Sequence, residues 1–201
     1  MTVEAAAIPL AGPDAPPGAR PNGWWGMVLL IATEATLFAL LVATYFYLRF
    51  RTQGGWPPDG LADPKIVKPM IATAILVLSS APLALASRAV WELRPSVARL
   101  GLAGGIGLGV AFLIFQYLLV QASLDTFRPG KDAYGSIFYT LIGLHAAHVV
   151  VGVLLASWAL VRTLRFDRTA VLTVRVTTLY WHFVNVVAVV IFLTLYLAPR
   201  G

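Results

Sequence analysis

The sequence contains no cysteine and few charged residues. The absence of cysteine among its 201 residues excludes disulfides, thiolate metal sites, iron–sulfur clusters and a cysteine nucleophile. Charged residues make up 12% of the chain and hydrophobic residues 59%, whereas soluble domains average about 25% and about 45–50%. No Ser-His-Asp arrangement, phosphate-binding glycine loop or paired-carboxylate site is recognisable. The composition therefore argues against a water-soluble enzyme.

The formal charge of +6 is distributed along the chain. Its Arg and Lys residues flank the apolar runs instead of forming one basic patch, as is typical of membrane proteins. We therefore expect no nucleic-acid partner.

Five apolar segments have the length of a membrane-spanning helix. A bilayer core needs about 20 apolar residues per helix. The links between the segments are mostly short, which favours antiparallel neighbours. The predicted fold is all-α: a polytopic membrane protein with a bundle of five transmembrane helices. The approximate segments are Trp24–Leu48, Ile66–Ala86, Leu100–Ser123, Gly135–Val161 and Val174–Leu197.

The ends of the chain suggest its domain organisation and orientation. Residues 1–22 are rich in Ala and Pro and lack a basic n-region, so we expect a disordered lead-in and not a signal peptide. Residues 23–201 form a single predicted transmembrane domain. Eight basic residues fall on the N-terminal side of the five segments and seven on the other, so the positive-inside rule places the N-terminus in the cytoplasm.

Small residues and prolines mark two of the segments. Gly101, Gly105 and Gly109 are spaced four apart in the third segment, which allows close approach of another backbone. That approach serves either packing within this chain or contact with another subunit. In the second segment, Pro82 predicts a kink.

Ionisable residues inside membrane segments are rare and are functional candidates by default. Glu34 lies near the middle of the first segment, where a charged carboxylate would cost roughly 2.5–3.5 kcal/mol, so it must be protonated or partnered. The rise per residue puts His148 at mid-membrane, Glu34 about 3 Å and His182 about 6 Å from that plane, and His145 one turn to the other side. Asn185 follows His182 by one turn.

Three interpretations of this polar cluster remain open. The residues hydrogen-bond one another and fix helix rotation, or Glu34 lines a proton relay or lipid-headgroup site, or the cluster binds a metal or haem. The third is the least supported, because haem ligation needs histidines from facing helices and di-metal sites need several carboxylates.

Three blocks of sequence resemble the cytochrome c oxidase subunit III family. GWWGMVLLIATEATLFALLVATYFYLR resembles the family helix that carries a buried glutamate, here Glu34. AYGSIFYTLIGLHAAHVVVG resembles the helix with two histidines three apart, here His145 and His148. YWHFVNVVAVVIFLTLYL resembles the terminal helix, with His182 in its signature. The blocks occur in family order.

The resemblance implies a non-catalytic subunit of a proton-pumping haem-copper terminal oxidase in the bacterial plasma membrane. Such a subunit binds no haem or copper, flanks the catalytic subunit I and subunit II, binds structural phospholipid, and supports assembly, stability and proton uptake. By position, Glu34 matches the buried family glutamate.

Two departures from the family pattern bear on these implications. The chain has five predicted helices, as in short bacterial forms, where the mitochondrial form has seven; one wall of the lipid-holding cleft is therefore missing. Asn185 stands where the family usually has a carboxylate, so a role that needs charge is in doubt there while hydrogen bonding is retained.

The alternatives are an accessory subunit of a quinol oxidase or nitric oxide reductase and, from another class, a small membrane transporter. A transporter would often show internal repeats and broken helices near the midplane, and we recognise neither.

Overall fold

The computed structural model describes residues 20–52, 56–57, 66–124 and 128–200, with the side chain of residue 200 excluded. Within these ranges the chain is helical and contains no β-strand. Six α-helices are present in the described residues: α1 (Asn22–Arg51), α2 (Val67–Leu78), α3 (Ser80–Trp91), α4 (Pro95–Leu124), α5 (Ala133–Arg162) and α6 (Arg168–Phe192). A 3₁₀ turn follows α5, and a π-helical turn and a 3₁₀ turn follow α6.

The described residues form five apolar helical spans long enough to cross a membrane, with α2 and α3 making up the second span. The prediction of an all-α five-helix membrane protein is confirmed. Several helices extend further than predicted: α4 begins at Pro95 and α6 at Arg168. An apolar window detects only the hydrocarbon-facing part of a helix, whereas backbone hydrogen bonding continues into the polar interface. Of the predicted lead-in, residues 1–19 lie outside the described residues, and α1 begins at Asn22.

The second span is interrupted at Ser79, three residues before Pro82. Proline has no N–H to donate to the carbonyl four residues earlier, and its ring crowds that carbonyl. The predicted irregularity is therefore present, and it lies in the turn that precedes the proline.

Helices α5 and α6 each begin with an aspartate cap. Asp132 accepts a hydrogen bond from the backbone N–H of Gly135 at the start of α5. Asp167 accepts one from Ala170 over 2.7 Å at the start of α6. These caps satisfy backbone donors that have no partner within the helix.

Helix α6 occupies the centre of the bundle and α1 lies at its edge. Within the most apolar window of each span, half of the α6 residues are buried but only 6% of the α1 residues. Helix α6 contacts α1, α2, α3 and α5. Residues on α6 and α5 therefore determine the interior, whereas α1 presents most of its surface outward.

The glycines of α4 pack within this chain. A Cβ atom built on Gly101 would lie 2.4 Å from the carbonyl oxygen of Pro82, and one on Gly105 would lie 1.5 Å from Leu83. A Cβ on Gly109 would meet the Trp181 ring at 2.6 Å. These three glycines allow α4 to approach α3 and α6, whereas a Cβ on Gly107 would meet nothing within 4 Å.

Candidate functional site

Glu34 and His148 form a hydrogen-bonded pair between α1 and α5. The Oε2 atom of Glu34 lies 3.0 Å from the Nε2 atom of His148. The Glu34 side chain is 26% exposed and the His148 side chain 14%. The carboxylate inside the membrane span therefore has a partner, which offsets the cost of placing it there.

The second nitrogen of His148 fixes what this pair can do. Its Nδ1 atom lies 2.8 Å from the carbonyl oxygen of Leu144. A carbonyl only accepts, so Nδ1 carries a proton and donates it. Nε2 then either accepts from a protonated Glu34 or, in the imidazolium, donates to the carboxylate. In both cases one proton lies in the Glu34–His148 hydrogen bond and the pair has no net charge.

Aromatic residues surround the pair on its inner side. The Phe38 ring lies with its centroid 5.0 Å from that of the His148 ring, in an edge-to-face arrangement. The Tyr180 hydroxyl on α6 donates to the backbone carbonyl of His148 over 3.2 Å. Contacts from α1 and α5 thus hold the imidazole in one orientation, with the carboxylate on its outer side, and Tyr180 ties α6 to the backbone at His148.

His145 lies on the same face of α5 but makes a separate environment. It is 5% exposed, and neither ring nitrogen has a hydrogen-bond partner among the described residues. Its ring lies between Phe38 and Phe112, at centroid distances of 6.5 and 5.9 Å. The sequence placed it in the same polar layer as Glu34, and the structure shows no hydrogen bond between them.

His182 and Asn185 form a second polar group with Ser80 on α3. The Asn185 amide donates to the Ser80 hydroxyl, and the Nδ1 atom of His182 lies 3.2 Å from the same oxygen. Since the amide uses an acceptor site of the hydroxyl, the hydroxyl proton is available to His182 Nδ1. When the hydroxyl donates to Nδ1, the imidazole proton is on Nε2.

The neighbouring serine anchors the centre of α6. The indole Nε1 of Trp181 donates to Ser79 Oγ over 2.7 Å, and the Ser79 hydroxyl donates to the Leu76 carbonyl. Sequence reasoning missed Ser79 and Ser80. The available signal was a pair of adjacent hydroxyls in an apolar segment, three and two residues before Pro82.

A basic pocket opens at the N-terminal side of the bundle. It has a volume of about 300 Å³ and lies between α1, α3 and α6, lined by Trp24, Arg88, Arg175 and His182 among others. The Arg175 guanidinium stacks over Trp91 at 4.4 Å. Arginine and tryptophan together are typical of the membrane interface.

The five predicted site residues thus divide into two hydrogen-bonded groups and one solitary histidine. Within the parts of the chain that the structure describes, no three His, Cys, Asp or Glu side chains are grouped so that they could hold a metal ion. The chemistry that the geometry supports is proton sharing at Glu34–His148 and helix anchoring at Ser79 and Ser80.

Comparison with known proteins gives a consistent result. Residues 20–199 match the model of the family described as cytochrome c oxidase subunit III. Cytochrome c oxidase subunit 3 of Bacillus subtilis is 33% identical, over 88% of this chain and 86% of its own length. Quinol oxidase subunit 3 of Bacillus spizizenii is 31% identical, over 89% and 87%. Cytochrome c oxidase subunit 3 of Anopheles gambiae is 33% identical, over 86% of this chain and 68% of its own length.

Proposed function

This chain belongs to the cytochrome c oxidase subunit III family and is an accessory subunit of a haem-copper oxidase, and from that premise we propose that it supports proton uptake, assembly and durability of a proton-pumping terminal oxidase. The observation that carries the proposal is the Glu34–His148 hydrogen bond. This hydrogen bond holds a transferable proton within a membrane span. Among the described residues, no cluster of side chains that could bind a metal lies beside it.

The test is substitution of Glu34 in the assembled oxidase. Glu34→Ala removes the carboxylate, whereas Glu34→Gln keeps a hydrogen-bonding group towards His148 Nε2 but cannot exchange a proton at neutral pH. We expect both variants to retain haem content and the initial rate of oxygen reduction. Proton uptake falls in both, and the active lifetime falls more in Glu34→Ala, because only that variant leaves His148 without its partner.

Two results would contradict this proposal. Complete loss of haem from the Glu34→Ala complex would assign the residue to assembly of the catalytic centre. Proton uptake and lifetime equal to those of the parent complex in both variants would leave the pair as a packing feature only.

The partners that we propose are the catalytic subunit I and subunit II, which would hold the haem and copper. Family membership supports a complex with catalytic subunits. We expect this chain to co-purify in mild detergent with haem-containing proteins and to show no haem absorbance when isolated. A haem band that stays with the isolated chain would overturn the assignment of these cofactors to partners.

The electron donor of the proposed complex is either cytochrome c or a quinol. One relative from Bacillus is named as a cytochrome c oxidase subunit and the other as a quinol oxidase subunit, and their identities to this chain are similar. Association with a nitric oxide reductase is the further alternative. The interruption of the second span at Ser79 is a feature that transporters also show, but here it carries the hydroxyl that anchors Trp181, and family membership favours the oxidase subunit. The co-purifying subunits distinguish these alternatives, since a donor-binding site is expected on them and not on this chain.

A structural phospholipid is proposed for the basic pocket. Arg88 and Arg175 supply positive charge at the interface, and exposed apolar side chains such as Leu85 and Leu78 line the same span. Replacing both pocket arginines by Gln is expected to reduce the anionic phospholipid that co-purifies, measured by mass spectrometry of the extracted lipid. Arg94→Gln is the control, because Arg94 is exposed and pairs with Glu92.

We propose that the chain lies in the bacterial plasma membrane with its N-terminus in the cytoplasm. Similarity to bacterial relatives supports the bacterial assignment, since the proteins of Bacillus subtilis and Bacillus spizizenii are 33% and 31% identical to this chain. The orientation can be tested directly, because the chain has no cysteine of its own.

Single cysteines at Lys131 and Arg165 would lie on opposite sides of the membrane, and both positions are exposed. With a cytoplasmic N-terminus, an impermeant maleimide added to intact cells labels Lys131→Cys and spares Arg165→Cys. The reverse pattern would overturn the proposed orientation.

A further inference from the structure

A cavity of about 30 Å³ adjoins His145 in the interior of the bundle. It lies between α2, α4, α5 and α6, and its lining includes Thr73, Gln116, His145 and Tyr196. Two helices and the π-helical turn after α6 thus each contribute a polar side chain to the space beside an imidazole. Elsewhere along these spans the inward side chains are mostly apolar.

His145 is a buried polar residue in the lining of this cavity. The residue is 5% exposed, and its two ring nitrogens have no hydrogen-bond partner among the described residues. Its ring faces are occupied, because the Phe38 and Phe112 rings pack against it edge to face. Burying ring nitrogens without a partner is unfavourable, so a polar partner is expected from the cavity.

The lining can bind water in a defined way. The Thr73 hydroxyl donates to the Pro69 carbonyl over 2.9 Å, so its oxygen still accepts. The Gln116 side chain both donates and accepts, and a neutral imidazole does the same. A water molecule needs about 10–15 Å³ of such space and two to four polar partners, so this cavity has room for about two.

The position of the lining residues indicates where water enters. Pro69 and Thr73 lie in the first two turns of α2, and Tyr196 lies in the turn that follows α6. The start of α2 and the turn after α6 both belong to the end of the bundle opposite the N-terminus. The cavity therefore lies in the half of the bundle opposite the N-terminus. The Phe38 ring packs against both His145 and His148 and lies between the two histidines and their environments.

We propose that this cavity is a hydration site in which water hydrogen-bonds to His145 and to Gln116 or Thr73, and that it exchanges with the membrane face opposite the N-terminus. The site is distinct from the Glu34–His148 pair and does not depend on the proposed role of that pair. Lipid or a side chain of a partner subunit is the competing source of a partner for His145.

The test uses the full chain, labelled with ¹⁵N-histidine and reconstituted in lipid bilayers. Its three histidines give three sets of ring signals. Each set is assigned by its loss in one of the variants His145→Phe, His148→Phe and His182→Phe. Transfer of magnetisation from water to the His145 ring is expected to be severalfold faster than to the His148 ring, whose nitrogens are both bonded to protein atoms.

Two glutamines of α4 provide the matched comparison. Gln116 lines the cavity, whereas Gln121 is exposed on the same helix. Gln116→Leu is expected to slow the transfer to His145 severalfold while the backbone spectrum is retained, and Gln121→Leu is expected to leave the transfer unchanged. Equal effects of the two variants would remove Gln116 from the site.

Transfer to His145 as slow as transfer to His148 would overturn the proposal. The same measurement in the assembled oxidase addresses the remaining alternative. Fast transfer in the isolated chain that is lost in the complex would show that a partner side chain replaces the water, and would overturn the hydration site for the working enzyme.

Discussion

The indole nitrogen of Trp181 reaches across the bundle to the hydroxyl of Ser79, 102 positions earlier in the chain and 2.7 Å away. Ser79 lies at the interruption between α2 and α3, so the largest fully buried side chain of α6 is fastened to the break that precedes Pro82. A backbone irregularity in one span thus supplies the hydroxyl that positions the central helix.

Removing this hydroxyl is expected to destabilise the protein. Ser79→Ala leaves the buried Nε1 of Trp181 without an acceptor, which costs about 1–3 kcal/mol. The measurement is thermal unfolding of the full chain in mild detergent. Ser157→Ala is the control, because the Ser157 hydroxyl bonds only to the Val153 carbonyl of its own helix. Equal stability losses in the two variants would argue against a specific Trp181–Ser79 bond.

The glycines of α4 are expected to respond unequally to an added methyl group. Gly101→Ala places a Cβ 2.4 Å from a backbone oxygen of Pro82, and backbone cannot move aside as a flexible side chain can. Overpacking of this kind costs about 1–3 kcal/mol. Gly107→Ala meets open space, and replacing a mid-helix glycine by alanine stabilises a helix by roughly 0.5–1 kcal/mol.

Thermal unfolding of the two glycine variants in parallel checks this prediction. Because the two glycines are on the same helix and receive the same methyl group, a general effect on helix formation would shift both in the same direction. Opposite shifts would therefore show that the loss at Gly101 comes from its close contact with Pro82. A shared loss of stability would mean that Gly107 also faces a partner.

Features of the fold that depend on long stretches of sequence could be predicted, whereas features that depend on a few residues could not. The apolar runs identified all five spans, because the bilayer requirement acts on about 20 residues at a time. The interruption at Ser79 was foreseen only as a kink at Pro82. Helix ends such as Pro95 were missed because helices continue beyond the apolar window into the polar interface.

The candidate site was predicted in its composition but not in its pairing. Depth along a helix follows from residue number, so Glu34 and His148 were expected at similar heights. Helix rotation and neighbour order do not follow from one sequence, and these decide that His182 turns to Ser80 and not to Glu34. His145 shows the limit most clearly, since its spacing from His148 suggested a shared site.

The Glu34–His148 pair is expected to be energetically coupled. Glu34→Ala leaves an imidazole nitrogen unpaired, and His148→Phe leaves a carboxylic group unpaired, at about 1–3 kcal/mol each. The double variant lacks both partners and leaves neither group unpaired. Its loss of stability is therefore smaller than the sum of the two single losses by roughly 0.5–3 kcal/mol. Thermal unfolding of the four proteins in a double-mutant cycle measures this difference, and strict additivity would contradict a direct bond.

Asn185 is expected to be unable to change to a carboxylate without rearranging its neighbours. Its amide donates to Ser80 Oγ, which leaves the Ser80 proton for His182 Nδ1. In Asn185→Asp the carboxylate only accepts, so it takes the Ser80 proton and His182 Nδ1 loses its donor. We expect the ¹⁵N-histidine spectrum to change from the Nε2–H form of His182 to a form protonated on Nδ1.

The stability of Asn185→Asp is expected to fall by about 1–3 kcal/mol, since Asn185 is 5% exposed and the new acceptor is buried beside one donor. Asn185→Ser is the control, because a hydroxyl can still donate. An unchanged His182 spectrum in Asn185→Asp would contradict the hydrogen-bond order through Ser80. The asparagine would then be a packing residue, and Ser80 would bond to each neighbour independently.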